Sequence, residues 1–190
     1  GISEFFVDMQ MPGITVHPLT DMTGAEHFNE VFFDNVRVPK SYLIGVKNRG
    51  WCQIAAQLDY ERSGIERLMG NYSLFEAIFT YAQQAQRNGR PLSQDPLIRR
   101  KLAELSIEFE VGRVLIYRIA WMLSQGHTPN YEAALTKTYA TEFEQRLANT
   151  AMQILGLYGQ LRADSKWVAL SGKSVSSYLF SPGYTIQGGT

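Results

Sequence analysis

The spacing of hydrophobic residues changes character near residue 50. Before this point apolar and polar residues alternate over short runs broken by Gly and Pro, a pattern that predicts β-strands at residues 2–9, 14–18 and 28–38. After it, apolar residues recur every three or four positions over long runs, which predicts α-helices. The sequence therefore predicts a mostly α fold, an antiparallel up-and-down helical bundle preceded by a small, partial β-region.

Three long helices are expected. The first runs from about residue 50 to 87, although Gly64 and Gly70 weaken it. The second begins at residues 95–96, where Asp precedes Pro as a capping signal, and the third covers residues 130–157. Helices of this length joined by short loops pack antiparallel as a bundle.

Each helix has an apolar stripe that is expected to face the core, and most of the aromatic residues belong to these stripes rather than to a cofactor pocket. The stripes consist of Leu68, Tyr72, Phe75, Phe79 and Ala82; Leu102, Leu105, Phe109, Ile116, Ile119 and Leu123; and Ala134, Leu135, Tyr139, Phe143, Leu147, Met152 and Leu155. Shorter helical pieces are expected at residues 163–170 and 175–180, followed by an irregular tail.

Composition narrows the class of protein. The chain has 190 residues, 45% of them hydrophobic, and its 18 basic and 18 acidic residues cancel, which does not favour binding to nucleic acid or to a membrane surface. No apolar run is long enough to span a membrane. Cys52 is the only cysteine, so an internal disulfide is impossible, which fits a reducing compartment and leads us to expect a cytoplasmic protein.

Most catalytic motifs are absent from the sequence. The three histidines lie far apart without helical partners, so no metal site is expected, and neither a nucleophile elbow nor a phosphate-binding glycine loop occurs. What remains is Glu61, a carboxylate between Tyr60 and Arg62 early in the first long helix. It is either a catalytic carboxylate or one half of an ordinary surface Glu–Arg pair.

Four segments together resemble the flavin-dependent acyl-CoA dehydrogenases. Residues 28–39 read FNEVFFDNVRVP, and NRGW at residues 48–51 is followed by LDYER at residues 58–62. Residues 152–156 read MQILG, and residues 186–190 read IQGGT. The segments follow the order of the family and extend over essentially the whole chain, so the set is more specific than any one segment.

The resemblance implies a fold and a reaction. Residues 1–46 would be the end of the middle β-domain and residues 47–190 the C-terminal helical domain without its final helix, so we expect the chain to be a fragment. The implied enzyme is an oxidoreductase of lipid metabolism, a flavoprotein that dehydrogenates an acyl-CoA thioester. A carboxylate removes the α-proton, the β-hydrogen leaves as hydride to FAD, and electron-transfer flavoprotein accepts the electrons. The fragment alone is expected to be inactive.

The resemblance also implies site residues. Many members of the family carry the catalytic Glu in the closing loop, where this chain has Gly188, whereas others carry it on the first helix of the bundle, where this chain has Glu61. Glu61 is therefore the predicted catalytic base. Contacts with acyl-CoA are expected from Asp59, Tyr60, Arg62 and Gly189, and contacts with FAD, partly with the flavin of a neighbouring subunit, from Gln153, Ile154, Leu155, Gly156, Leu157 and Thr190.

One departure from the family pattern leaves alternatives open. The Phe-Gly that usually follows the first helix and holds the flavin pyrophosphate is missing from residues 87–92, where Arg87 and Arg90 are the candidate replacements. The chain could accordingly be a non-catalytic partner subunit of a hetero-oligomeric acyl-CoA dehydrogenase, or a helical interaction domain. A homo- or hetero-oligomer, dimer or tetramer, is expected in either case.

Overall fold

The computed structural model describes residues 1–189, which form two compact units, one of residues 1–58 and one that begins at Asp59. Helices dominate and strands are few and short, so the predicted mostly helical class is confirmed. The domain boundary expected after residue 46 stays a prediction.

The first unit contains four short strands arranged as two antiparallel pairs. They are β1 (Glu4–Phe5), β2 (Ile14–Leu19), β3 (Phe28–Phe33) and β4 (Leu43–Ile44). Strand β2 pairs with β3 so that Ile14 lies opposite Phe33, and β1 pairs with β4. The strand predicted at residues 28–38 ends early because Asn35 adopts a φ of 51°, which turns the chain out of the extended conformation.

The prediction of a single helix over residues 50–87 is wrong. The chain forms three helices instead, namely α1 (Gly50–Glu61), α2 (Glu66–Met69) and α3 (Tyr72–Gln84). The interruptions fall at Gly64 and Gly70, where glycine has the lowest helix propensity of any residue but proline. The one-turn helix α2 lies between the two interruptions and buries Arg67 and Leu68.

A small hairpin follows α3, formed by β5 (Gln86–Arg87) and β6 (Arg90–Pro91). Asn88 and Gly89, with φ values of 54° and 72°, form its two-residue turn, a sequence typical of tight hairpins. The register places Arg87 directly opposite Arg90.

The longest helices behave largely as predicted. Helix α4 (Pro96–Ser124) begins at Asp95, whose Oδ1 accepts a hydrogen bond from the Leu97 amide at 2.9 Å. Helix α5 (Tyr131–Leu155) ends at Gly156. The helical piece predicted at residues 175–180 is part of α6 (Lys173–Ile186), whereas residues 163–169 are not helical and the expected irregular tail is wrong because α6 continues through Pro182. Packing of α6 along α5 outweighs the hydrogen bond that proline removes.

The core lies among α2 to α5 and contains the expected aromatic residues. The rings of Phe75 and Phe109 stack with centroids 4.8 Å apart, and Phe143 lies against Phe109. The stripe predicted for α5 is partly wrong, because Leu135 is 43% exposed while Lys137 and Glu144 are buried. Within the described residues, no helix has the length and apolar character needed to cross a membrane.

Candidate active site

The site begins where α1 ends. Glu61 is the last residue of α1, and the chain bends after it so that Arg67 of α2 faces back toward it. Glu61 Oε1 accepts a hydrogen bond from Arg67 Nη2 at 3.0 Å, with the glutamate side chain 42% exposed and the arginine side chain 5% exposed. The Arg67 guanidinium also lies 5.2 Å from the centre of the Tyr184 ring. The pair therefore joins a buried cation to a half-exposed carboxylate.

The loop after α6 lies beside this pair and is held by two further cations. Arg62 Nε donates to the Gly188 carbonyl oxygen at 2.8 Å, and Lys137 Nζ donates to the carbonyl oxygens of Thr185 and Gly189. Gly188 has a φ of 71°, which disfavours any other residue there. A Cβ atom built on it would lie 3.5 Å from Glu61 Oε1 and 3.5 Å from Arg67 Nη2. Gly188 is thus next to the Glu61 carboxylate.

Burial shifts the protonation of the surrounding groups. It lowers the pKa of Lys137, and the positive charges of Arg67 and Arg62 lower it further, while Glu61 opposes them. Burial also raises the pKa of Glu144 to about 7, against a hydrogen bond with Asn71 that favours the charged form. With three cations and the Glu61 carboxylate around the loop, the site is electropositive.

The structure brings some of the predicted substrate residues together. Glu61, Arg62 and Gly189 lie around the same loop, and a Cβ atom on Gly189 would come within 2.9 Å of Arg62 Nη2. Asp59 instead accepts a hydrogen bond from Asn130 Nδ2 at 2.8 Å, at the start of α5. Tyr60 is 58% exposed.

The residues predicted to bind FAD lie at the far end of α5. The 16-residue separation of Lys137 and Gln153 corresponds to about 24 Å along the helix. Ile154 and Leu155 are buried in the core. Thr190, the remaining prediction of this group, follows Gly189 and lies outside the described residues.

Part of this second region is exposed to solvent. Gln153 accepts a hydrogen bond from Lys101 Nζ, and Leu157 is 82% exposed. A Cβ atom on Gly156 would meet nothing within 4 Å, so the space beside the helix end is open. Gln153, Gly156 and Leu157 are therefore accessible, and the FAD contact that the resemblance implies for them stays a prediction.

Sequence reasoning missed four members of the Glu61 site, namely Arg67, Lys137, Glu144 and Tyr184. A signal was present for two of them. Lys137 and Glu144 are seven residues apart and in register with the buried residues Ala133, Ala140 and Leu147, so they are charged positions on a core-facing stripe. Buried charges are rare and are retained where they have partners or a function. Arg67 and Tyr184 had no comparable signal.

Comparison with known proteins identifies the family of this chain. Residues 48–190 match the sequence model of the family described as "Acyl-CoA dehydrogenase, C-terminal domain". The acyl-CoA dehydrogenase FadE29 of Mycobacterium tuberculosis is 33% identical over a stretch that covers 84% of this chain and 41% of its own length.

Two solved structures superpose on the whole chain. The Tcur3481-Tcur3483 steroid ACAD has a TM-score of 0.87 at 28% identity, with 48% of that chain covered. The ChsE4-ChsE5 complex from Mycobacterium tuberculosis has a TM-score of 0.88 at 25% identity, with 49% of that chain covered. The chain thus spans about half the length of these proteins. The match of the family's sequence model to residues 48–190 shows that this chain belongs to the acyl-CoA dehydrogenase family.

Proposed function

We propose that the full-length protein catalyses the α,β-dehydrogenation of an acyl-CoA thioester, with FAD as hydride acceptor and Glu61 as the base. The observation that carries this proposal is the position of the Glu61 carboxylate, whose Oε1 would lie 3.5 Å from a Cβ atom on Gly188. The carboxylate that the closing loop lacks is thereby supplied from α1.

The two oxygens of Glu61 have different tasks in this proposal. Oε1 is bound to Arg67, whereas Oε2 has no hydrogen-bond partner in residues 1–189 and takes the α-proton of the thioester. The resulting enolate needs hydrogen bonds to its oxygen. The Gly189 amide already donates to the Ile186 carbonyl oxygen at 3.1 Å, so the neighbouring Gly188 amide is the loop's candidate donor.

FAD supplies the hydride acceptor when bound, and electron-transfer flavoprotein is the proposed oxidant that follows. In this proposal Gln153, Gly156 and Leu157 contact the flavin of a neighbouring subunit, because they lie about 24 Å along α5 from the Glu61 site. An oligomer is therefore part of the proposed function, with each active site completed by another chain. Arg87 and Arg90, side by side in their hairpin, are candidates for the pyrophosphate charge.

The test of this proposal is Glu61→Gln in the full-length protein, which keeps the size and hydrogen bonding of the side chain but removes the base. We expect turnover to fall on the order of 100- to 10,000-fold, the usual contribution of a general base. Glu66→Gln is the control, because Glu66 is an exposed glutamate on the adjacent α2. Undiminished turnover of Glu61→Gln would rule Glu61 out.

A second candidate is a partner subunit in a hetero-oligomeric acyl-CoA dehydrogenase. One similar solved structure is described as the ChsE4-ChsE5 complex, and the absence of a carboxylate at Gly188 also favours this reading. The full-length protein purified alone and together with its sister chain distinguishes the two. Yellow colour and turnover in the protein alone support the first candidate, and colour that requires the sister chain supports the second.

A further inference from the structure

The side chain of Arg67 is buried and only partly paired, a feature that it shares with Glu144, whose Oε2 atom also has no hydrogen-bond partner among the described residues. Arg67 is 4% exposed, and its Nε and Nη1 atoms are buried without a hydrogen-bond partner among the described residues. Burying a guanidinium is costly unless its donors are satisfied. A residue kept for stability alone would be expected to satisfy more of these donors.

The bonds that Arg67 does make are directed at the candidate base. Within residues 1–189 its single ion pair is with Glu61 Oε1 at 3.0 Å, and its guanidinium lies 5.2 Å from the centre of the Tyr184 ring. The glutamate is the exposed partner and the arginine the buried one, so the carboxylate is held from its inner side. Its second oxygen, Oε2, accepts no hydrogen bond within residues 1–189.

The other charged groups near this pair do not replace Arg67. Arg62 is bound to the Gly188 carbonyl oxygen, and Lys137 to the carbonyl oxygens of Thr185 and Gly189. The buried Glu144 hydrogen-bonds with Asn71 and has no ion pair among the described residues. Arg67 is therefore the one cation in the described chain that fixes Glu61.

We infer that Arg67 is a positioning residue for proton abstraction: it holds Glu61 Oε1 so that Oε2 faces the α-carbon of the substrate beside the Gly188 loop. This inference rests on the proposed function. The ion pair has one N–H···O bond, so a lysine at position 67 can partly replace it, unlike at sites where arginine binds a carboxylate through two nitrogens.

The chain offers a matched control. Arg146 is bound to Glu108 at 2.7 Å and to Glu142 at 3.5 Å and lies 5.9 Å from the Tyr139 ring, so it makes the same types of contact as Arg67 from a more exposed position. Its pair with Glu108 links α5 to α4 and includes none of the residues around the Gly188 loop. Arg146→Met therefore measures what it costs the protein to lose an arginine, together with its ion pair and its ring contact, at a position outside the site.

The experiment compares Arg67→Met, Arg67→Lys and Arg146→Met in the full-length protein, each checked by thermal unfolding. Turnover and exchange of the substrate α-hydrogen with solvent deuterium are both measured, since exchange reports proton abstraction without hydride transfer. We expect kcat and the exchange rate of Arg67→Met to fall on the order of 100-fold, the effect of a misplaced reacting group. KM should change by less than about threefold, because ground-state binding is not removed.

Arg67→Lys should recover at least about one third of the lost exchange rate, and Arg146→Met should retain the original rate, if the arginine acts by holding one oxygen. Equal losses in Arg67→Met and Arg146→Met, or in Arg67→Met and Arg67→Lys, would overturn the inference. If Arg67→Met fails to fold, the exchange rates of Arg67→Lys and Arg146→Met are compared instead. The inference is supported if Arg67→Lys loses more of the exchange rate than Arg146→Met does, but less than Glu61→Gln does.

Glu61→Gln separates this inference from the proposed function. If Glu61→Gln keeps its turnover, the proposed function fails whatever Arg67 does. If Glu61→Gln is inactive while Arg67→Met exchanges the α-hydrogen normally, only the role of Arg67 fails. In the Glu61→Gln background, Arg67→Met should cause no further loss, because its effect passes through the carboxylate.

Discussion

The two ends of α5 differ in how they use polar residues. Near the start of the helix, Lys137 is 1% exposed and holds carbonyl oxygens of the loop after α6, and Glu144 is buried two turns later. At the other end, Gln153 and Leu157 are exposed and Gly156 faces open space. Buried charges are tolerated only where the surrounding chain supplies partners, so the first end defines a site within this chain. The end of α5 near Gln153 has no such buried charges within the described chain and would form a site only together with a bound ligand or another chain.

The largest effect that can test this contrast comes from the buried carboxylate of Glu144. Burial raises its pKa to about 7 from an ordinary value of 4.5, so the folded state binds the proton more tightly than the unfolded state does. Its contribution to stability is complete below about pH 4.5 and is lost as the pH rises through about 7. This difference in pKa corresponds to about 3 kcal/mol.

We therefore expect the free energy of unfolding of the original protein to fall by about 3 kcal/mol more than that of Glu144→Gln between pH 4 and pH 8. Urea unfolding at the two pH values measures it. Glu142→Gln is the control, because Glu142 is an exposed neighbour on the same helix. If both variants follow the same pH dependence, Glu144 is not the buried titrating group.

The second effect compares the two lysines that bind near the ends of α5. Lys137→Met removes the donor from two carbonyl oxygens and should lower the free energy of unfolding by about 2 kcal/mol, a typical value for hydrogen bonds to a charged group. Lys101→Met, which removes the partner of Gln153, should change it by less than about 0.5 kcal/mol. Denaturant unfolding of the full-length variants measures the free energy of unfolding of each. If both variants lose the same free energy, the proposed difference between the two ends of α5 is contradicted.

The smallest effect on stability is expected at Leu157. Because its side chain is 82% exposed, Leu157→Asp should change the free energy of unfolding of the FAD-free protein by less than about 0.5 kcal/mol. The same change should weaken FAD binding by the full-length assembly about tenfold, or about 1.4 kcal/mol, if this end contacts a neighbour's flavin. Leu161→Asp, at a half-buried position shortly after it, is the comparison and should lower the free energy of unfolding by more. FAD binding that is unchanged in Leu157→Asp would contradict the contact.

Local signals predicted the long helices well. The Asp95 cap and the regular stripe of α4 depend on residues within a few turns, and both agree with the structure apart from Leu123, which is 38% exposed. Prediction failed where packing overrules local preference. Gly64 and Gly70 could weaken or end a helix, and only the burial of Arg67 and Leu68 decides that the helix ends.

The sequence by itself determined the helical class, the order of the four family segments and the candidacy of Glu61, because periodicity and motifs are properties of neighbouring residues. Only the tertiary structure decided that Arg67 holds Glu61 and that Lys137 and Arg62 hold the Gly188–Gly189 loop. Arg62 and Gly188 are 126 positions apart in the chain. No local pattern encodes such a contact, because it depends on how α6 packs along α5.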